Sequence, residues 1–382
     1  MPLTYYDFFA GGGMAGIGLG SGWKCLFAND ISARKAESYR QNHGGGSEFH
    51  LGDVRDIRSA SLPGTPDLVW ASSPCQDLSL AGKGAGLDGN RSGTFHPFWK
   101  LVRALANEGR TPKVVAFENV CGAITSNGGE DFRTIISSYC ELGFRVGAVV
   151  ADAQRFLPQS RPRLFVIGVR DGNEFLRASS QRTPDSIWHP PSLVRAQNEL
   201  PPTLQQNWIW WRLPPIRSAT ASLSSIIENN PNDVRWHTAE ETSYLLEMMS
   251  PKNRQKIQSA LELGERSVGT LYRRTRPGLN GVGKQRAEVR FDGVAGCLRT
   301  PSGGSSRQTV VLVENGRVRT RLLSKREAAR LMGLPDSYEL PEQYNDAYHL
   351  LGDGVAAPVV RFIAHNLIEP AIRGNAAAIA AE

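Results

Sequence analysis

The chain has 382 residues, 40% of them hydrophobic, with 44 Lys or Arg against 37 Asp or Glu and a formal net charge of +7. That length predicts two or three domains, or one large domain with an insertion, and the apolar fraction suffices for a sizeable core. No run approaches the ~20 apolar residues of a membrane span, the first residues lack a secretion signal's basic-then-apolar pattern, and five cysteines without paired spacing argue against a disulfide framework or zinc cluster, so a reduced, cytoplasmic setting is expected.

Short apolar runs alternate with amphipathic stretches through the first 170 residues, which predicts an α/β domain with a parallel sheet. Residues 3–9 read as a strand that breaks into the turn Gly11-Gly12-Gly13 and a helix over 14–20. Residues 25–28 form a second strand pattern ending at Asn29-Asp30, and a helix capped by Ser32 follows to about residue 43. Buried-strand patterns at 67–71 and 114–117 end just before Ser72-Ser73-Pro74-Cys75 and at Glu118-Asn119. Two more, at 144–150 and 164–169, complete the series. In an open α/β sheet ligands bind where strands end, so Asp30, Cys75 and Glu118 are expected on one rim.

The texture changes beyond residue 170. About 171–288 is rich in Pro, Ser, Asn and Trp and shows no strand–helix alternation. It is too long for a loop and too apolar for a linker, so a second, smaller domain is predicted there. Charge is concentrated near its end: residues 266–330 hold 15 Lys or Arg and 4 Asp or Glu, a local net of +11, whereas the rest of the chain nets −4. A nucleic-acid face explains this better than a merely solvated surface. Helices are predicted over 324–332 and 359–368.

Four segments carry candidate chemistry. Glycines after a first strand let backbone approach a ligand at a helix N-terminus, and an acid at the end of the next strand, Asp30, suits ribose hydroxyls; alone this fits a dinucleotide as well as a nucleoside cofactor. Cys75, behind Pro74 on a strand-to-loop turn, becomes a nucleophile if its pKa is lowered; Cys25, Cys121, Cys140 and Cys297 read as structural. Glu118 offers a carboxyl at a strand end. Arg161 and Arg163, two apart on an extended segment, point the same way and can grip an anion.

In this order, the glycine loop, Asp30, Pro74-Cys75-Gln76, Glu118-Asn119-Val120 and Gln159-Ser160-Arg161-Pro162-Arg163 resemble the DNA cytosine-C5 methyltransferases of bacteria and phages. Gly52-Asp53-Val54, Asp88-Gly89-Asn90-Arg91-Ser92, Arg321 with Glu327 to Leu331 and Pro335, and Gly352-Asp353-Gly354-Val355 extend the likeness, which covers residues 3–170 and 290–368. Three positions depart from the family pattern: Met14 and Asp353, where Gly and Asn are usual, and Leu78, where Phe is.

The resemblance implies an α/β, Rossmann-like class I methyltransferase domain with a mostly parallel sheet (residues 1–171 and 290–382) and a smaller target recognition domain (172–289). It implies S-adenosyl-L-methionine along Phe9, Gly11, Gly12, Gly13, Asn29, Asp30, Ile31, Asp53, Val54, Pro74, Asp353 and Val355. Cys75 would add to C6 of a cytosine flipped from duplex DNA, with Glu118 at N3, Arg163 on the base carbonyl and Arg161 orienting neighbouring groups. A glycine-containing loop over 80–86 is expected to fold over the base. A monomer without a metal, in the cytoplasm at the nucleoid, with a cognate restriction endonuclease as a candidate partner, completes the implication. Rival readings are an RNA cytosine-C5 methyltransferase, a nicotinamide-dependent oxidoreductase and a catalytically inactive DNA-binding homologue.

Overall fold

The computed structural model describes residues 1–74, 92–170, 173–216, 221–277, 283–300 and 307–374. The chain packs as two compact units, one of Met1–Asp152, Pro162–Ile216 and Gly354–Glu382, the other of Ala153–Arg161 and Arg217–Asp353. Packing thus divides the chain at other points than the catalytic and DNA-reading division expected around 172–289.

The first unit is built on seven strands: β1 (Leu3–Phe8), β2 (Trp23–Asp30), β3 (Phe49–Leu51), β4 (Leu68–Ser72), β5 (Val114–Val120), β6 (Phe144–Asp152) and β7 (Pro162–Arg170). Their order is β3-β2-β1-β4-β5-β7-β6. The first five are parallel, and β7 alone is reversed, running antiparallel to both β5 and β6. This is the mostly parallel α/β sheet that the sequence predicts.

Helices cover the sheet as parallel strands require: α1 (Met14–Leu19), α2 (Ala33–Asn42), α3 (Phe95–Asn107) and α4 (Glu130–Glu141). Ser32 caps α2 by accepting the Lys35 N–H. The amphipathic α3 buries Phe95, Phe98, Trp99, Leu101, Val102 and Leu105, at the helical spacing that sets one apolar stripe. Phe98 meets Phe8 of β1 at 5.2 Å and Phe95 meets Phe117 of β5 at 5.2 Å, so this helix locks the strands that carry the site.

The unit continues through α5 (Asn173–Ser179), β8 (Ser180–Gln181), α6 (Pro191–Asn198), α7 (Pro202–Gln205) and β9 (Trp210–Trp211). The segment around residue 208 lies along the outer edge of β6, where the Ile209 N–H donates to Val146 O at 2.8 Å. Gly147 permits this, because a Cβ there would lie 2.1 Å from Ile209 O.

The second unit holds α8 (Leu223–Ile226), α9 (Ala239–Glu247), α10 (Pro251–Glu262), β10 (Ser267–Pro277), β11 (Gly283–Arg290), β12 (Thr309–Glu314), β13 (Arg317–Leu322), α11 (Lys325–Leu331) and α12 (Tyr344–Asp353). Its antiparallel sheet has the order β11-β10-β12-β13, and Leu245, Met249, Ile257, Leu271, Ala287, Val289 and Val311 form its core. Two more helices, α13 (Ala357–Ile363) and α14 (Glu369–Arg373), belong to the first unit. The stretch Tyr344–Arg373 reaches a mean hydropathy of 1.2, long and apolar enough by composition to span a membrane, but 61% of that window is buried inside the protein, as in a core helix.

Candidate active site

The backbone of the glycine loop is left-handed at three points. Past β1, Phe9 turns at φ 60°, followed by Gly11 at 57° and Gly13 at 77°. A Cβ on Gly13 would stand 2.0 Å from His43 Nε2, so the imidazole takes the space a side chain would need. His43 stacks on Tyr39 at 4.3 Å, and burial holds its pKa below the usual range.

Three strand ends meet this loop. Phe8 pairs with Asn29 on β2, and Asp30 pairs with Leu51 on β3. The Asp30 carboxylate accepts the Gly11 N–H at 3.1 Å and the Ser32 N–H at 2.8 Å. The Asn29 amide donates to His50 O at 3.0 Å and Gly52 O at 2.9 Å, which fixes the exit of β3. There Asp53 caps a short 3-10 turn and pairs with Arg55 at 2.9 Å. Val54 is buried, whereas Ile31 is 69% exposed, a large apolar side chain left in solvent beside the acid. Phe9, Gly11, Gly12, Gly13, Asn29, Asp30, Ile31, Asp53 and Val54 thus share one rim of the first unit.

Asp7 lies on β1, two residues before this loop, and no role was expected for it. It is buried, and neither carboxylate oxygen has a hydrogen-bond partner among the described residues. Burial, with the charge of Asp30 adding to it, pushes its pKa up to about 8.

Further along the rim, Ser72 at the end of β4 pairs with Glu118 on β5. The Asn119 amide donates to Ser73 Oγ at 2.9 Å, which holds the exit of β4 against β5. Pro74, exposed, is the last described residue before Cys75. Cys75 itself, Leu78, the loop over 80–86 and Asp88 to Arg91 lie outside the described residues.

Glu118 is part of β5, not beyond it as the sequence pattern suggested, because the ladder to β7 continues through Val120. Arg163 sits opposite Val120 and reaches Glu118 diagonally, Nε to Oε1 at 3.2 Å, with side chains only 15% and 8% exposed. Arg161 has a different task. It precedes β7, is buried in the second unit, and donates to Leu298 O at 2.9 Å and Gly352 O at 2.8 Å, with Cys297 Sγ at 3.3 Å. The shared anion grip that a two-residue spacing suggests does not form: the ladder begins at Pro162, which leaves Arg161 outside the strand and bound to carbonyls. Gln159, also buried, donates to Leu331 O at 2.6 Å and accepts the Leu298 N–H. Asp353 closes α12, exposed, one residue after the Gly352 that Arg161 holds; Val355 is buried in the first unit.

Residues 3–369 match the family described as C-5 cytosine-specific DNA methylase. The chain belongs to that family. Among curated relatives of this methylase, the type II methyltransferase M.BsuFI of Bacillus subtilis is 25% identical over 95% of this chain and 72% of its own length. M.HhaI of Haemophilus parahaemolyticus is 26% identical over 96% and 94%. Among solved structures, S. pombe Dnmt2 superposes with a TM-score of 0.59 at 16% identity, covering 97% of this chain and 99% of its own, and the Entamoeba histolytica methyltransferase EhMeth with 0.60 at 13%, covering 97% and 98%. These structures share its fold.

The methylase's rim fits the methyl donor its family chemistry implies. Gly11 keeps its left-handed backbone partly exposed, a carboxylate fixed by two N–H groups stands beside it, and Ile31 leaves an apolar side chain in solvent, a set of groups that could hold a nucleoside. Three of the other cysteines are unsuited to nucleophilic work. Burial raises the thiol pKa of Cys25 to about 12 and of Cys121 to about 11, and also raises that of Cys140, so thiolate is scarce at neutral pH.

Proposed function

We propose that this methylase transfers a methyl group to C5 of a cytosine flipped out of a specific duplex DNA sequence, with Cys75 as the covalent nucleophile. The observation that carries this reading is the pairing of Glu118 with Arg163 on the rim, in register with Ser72, three residues before Cys75.

Cytosine C5 is a weak nucleophile. Addition of the Cys75 thiolate to C6 pushes electron density to C5, and the ring needs its N3 and carbonyl oxygen stabilised as charge accumulates. Glu118 holds N3, and Arg163 is set to hold the carbonyl oxygen while it fixes the rotamer of Glu118. After transfer, loss of the C5 proton and expulsion of Cys75 restore the aromatic ring. Arg161 acts at a distance, as a positioning residue that anchors Gly352. S-adenosyl-L-methionine, when bound, supplies an electrophilic methyl group on a sulfonium. Phe9 and Gly11 to Gly13 would line its path, Asp30 its ribose, and Ile31, Asp53 and Val54 its adenine; Pro74, Asp353 and Val355 complete the proposed set.

Residues 1–171 and 290–382 are assigned to catalysis and 172–289 to DNA reading. The ribbon of β10 and β11 supports DNA as the substrate, with exposed Arg273, Arg274 and Lys284 on its two strands, suited to phosphates. A cytoplasmic, nucleoid-associated monomer serving a restriction–modification pair completes the proposal.

The test is incubation with tritium-methyl S-adenosylmethionine and duplex DNA containing 5-fluorocytosine. The fluorine cannot leave as a proton does, so a denaturant-stable adduct is expected. Labelling of tRNA with no DNA adduct would move the substrate to RNA, and labelling of neither would leave a DNA-binding homologue without catalysis.

A further inference from the structure

A cavity of about 440 Å³ lies on the first unit, far from the glycine loop, between the start of β6 and the segment from α5 to β9. Arg145, Arg177 and Arg182 line it together with Gln181, Trp208 and Trp210, and no carboxylate is among its described lining residues. None of the three guanidinium groups makes an ion pair or hydrogen bond with a described side chain. Arg145 Nε, Gln181 Nε2 and Trp208 Nε1 are buried donors without an acceptor among the described residues, and Trp208 is only 7% exposed. Buried donors left unpaired cost about 1–3 kcal/mol each, so a cluster of them around three cations with no ion partner among the described residues indicates an anion that is meant to be there.

The aromatic walls narrow the ligand further. Trp208 and Trp210 meet edge to face at 5.2 Å and 74°, forming a corner, and Trp210 is only half-buried, which leaves a surface on which a base can stack. Side-chain amides beside it can read a base edge. The volume falls in the range of small-molecule sites, roughly 300–1,000 Å³.

We propose that this cavity binds a single phosphorylated nucleoside, free or at the end of a nucleic-acid strand, with the phosphate on Arg145, Arg177 and Arg182 and the base against Trp210. The site is separate from the methyl-transfer rim. Arg145 lies four residues before Val149, which pairs with Phe165, the partner of Glu118, and this places it about 13 Å from that level along the strands. Five strand spacings separate β6 from β2, about 24 Å, so the ligand is not the adenosine of the methyl donor.

Titration of the full chain, saturated with S-adenosylmethionine, with AMP, GMP, CMP and TMP, inorganic phosphate and a 5′-phosphorylated oligothymidylate tests this. At least one mononucleotide is expected to bind with Kd below about 1 mM, and phosphate about tenfold more weakly. R177Q/R182Q changes two exposed side chains and so should fold normally while weakening nucleotide binding at least about tenfold. Competition between oligonucleotide and mononucleotide would assign the source to a strand end, and its absence to the free nucleotide. No mononucleotide binding, affinity equal to that of phosphate, or affinity unchanged in R177Q/R182Q overturns the proposal.

Discussion

Glu118 and Arg163 meet diagonally across β5 and β7, carboxylate Oε1 3.2 Å from guanidinium Nε, at the level where β4 leaves the sheet towards Cys75. The cation stabilises the charged acid and fixes it in one rotamer, so the pair supplies orientation as well as charge. Glu118→Gln preserves the shape but loses the charge that favours a protonated N3. Methyl transfer should fall about 10²–10⁴-fold, with DNA affinity nearly unchanged. Single-turnover kinetics decide it; wild-type rates would remove Glu118 from the chemistry.

Cys75→Ala should abolish transfer outright, since burial keeps the thiols of Cys25, Cys121 and Cys140 protonated. It should leave DNA binding intact, because the thiol bonds only to a base already flipped. The fluorocytosine adduct must vanish with it. An adduct that survives would assign the nucleophile elsewhere.

Gly13 tests the loop. Gly13→Ala puts a Cβ on left-handed backbone and 2.0 Å from His43 Nε2. Strain and overpacking together should cost about 1–3 kcal/mol and weaken cofactor binding. Adding His43→Ala removes the clash but not the backbone strain, so denaturant unfolding should show partial recovery. Full recovery would mean that the φ angle costs nothing here.

What was legible in the sequence was chemistry at strand ends. Asp30 and Glu118 fall where apolar runs stop, and every strand of the large sheet except β3 was visible as such a run. Only three residues long, with His50 and Leu51 exposed, β3 is too short and too polar to stand out. The ribbon of β10 and β11 was not visible either, because burial in β10 is continuous from Val268 to Leu271 and then gives way to exposed Arg273, Arg274 and Thr275, while in β11 only Ala287 and Val289 are buried, so neither strand sustains an alternation to read. Asp7 was hidden for another reason. Its letter sits at the end of the first strand, just before a recognisable loop, but burial without a partner is a property of packing on both sides of the sheet. Arg161 and Arg163 look equivalent until the ladder is known to start between them.

Asp7 gives a pH signature. Its folded pKa, about 8, exceeds the value of about 3.9 for an unfolded Asp. The folded state therefore binds the extra proton between those limits. The stability this confers is complete below pH ~4 and is lost as the pH rises towards 8. Asp7→Asn cannot ionise, so its melting temperature relative to wild type should climb from pH 5 to pH 8. Calorimetry at several pH values checks this, and a constant difference would mean that Asp7 is ionised throughout.

On the basic ribbon, Arg274 lies directly opposite Arg286, with Arg273 and Lys284 close by on the same two strands. Like charges facing each other across strands destabilise an isolated sheet, so their accumulation on one hairpin is better explained by a polyanion that neutralises them. Removing one phosphate-binding cation should reduce the slope of log affinity against log salt by about 0.9 for B-form DNA. R273Q/R274Q/K284Q/R286Q should therefore bind DNA more weakly at low salt and with a flatter salt dependence. It should also be at least as stable as wild type in the absence of DNA, since the facing repulsion is relieved. An unchanged slope would place the DNA-binding face elsewhere, and a loss of stability would show that these side chains support the sheet instead.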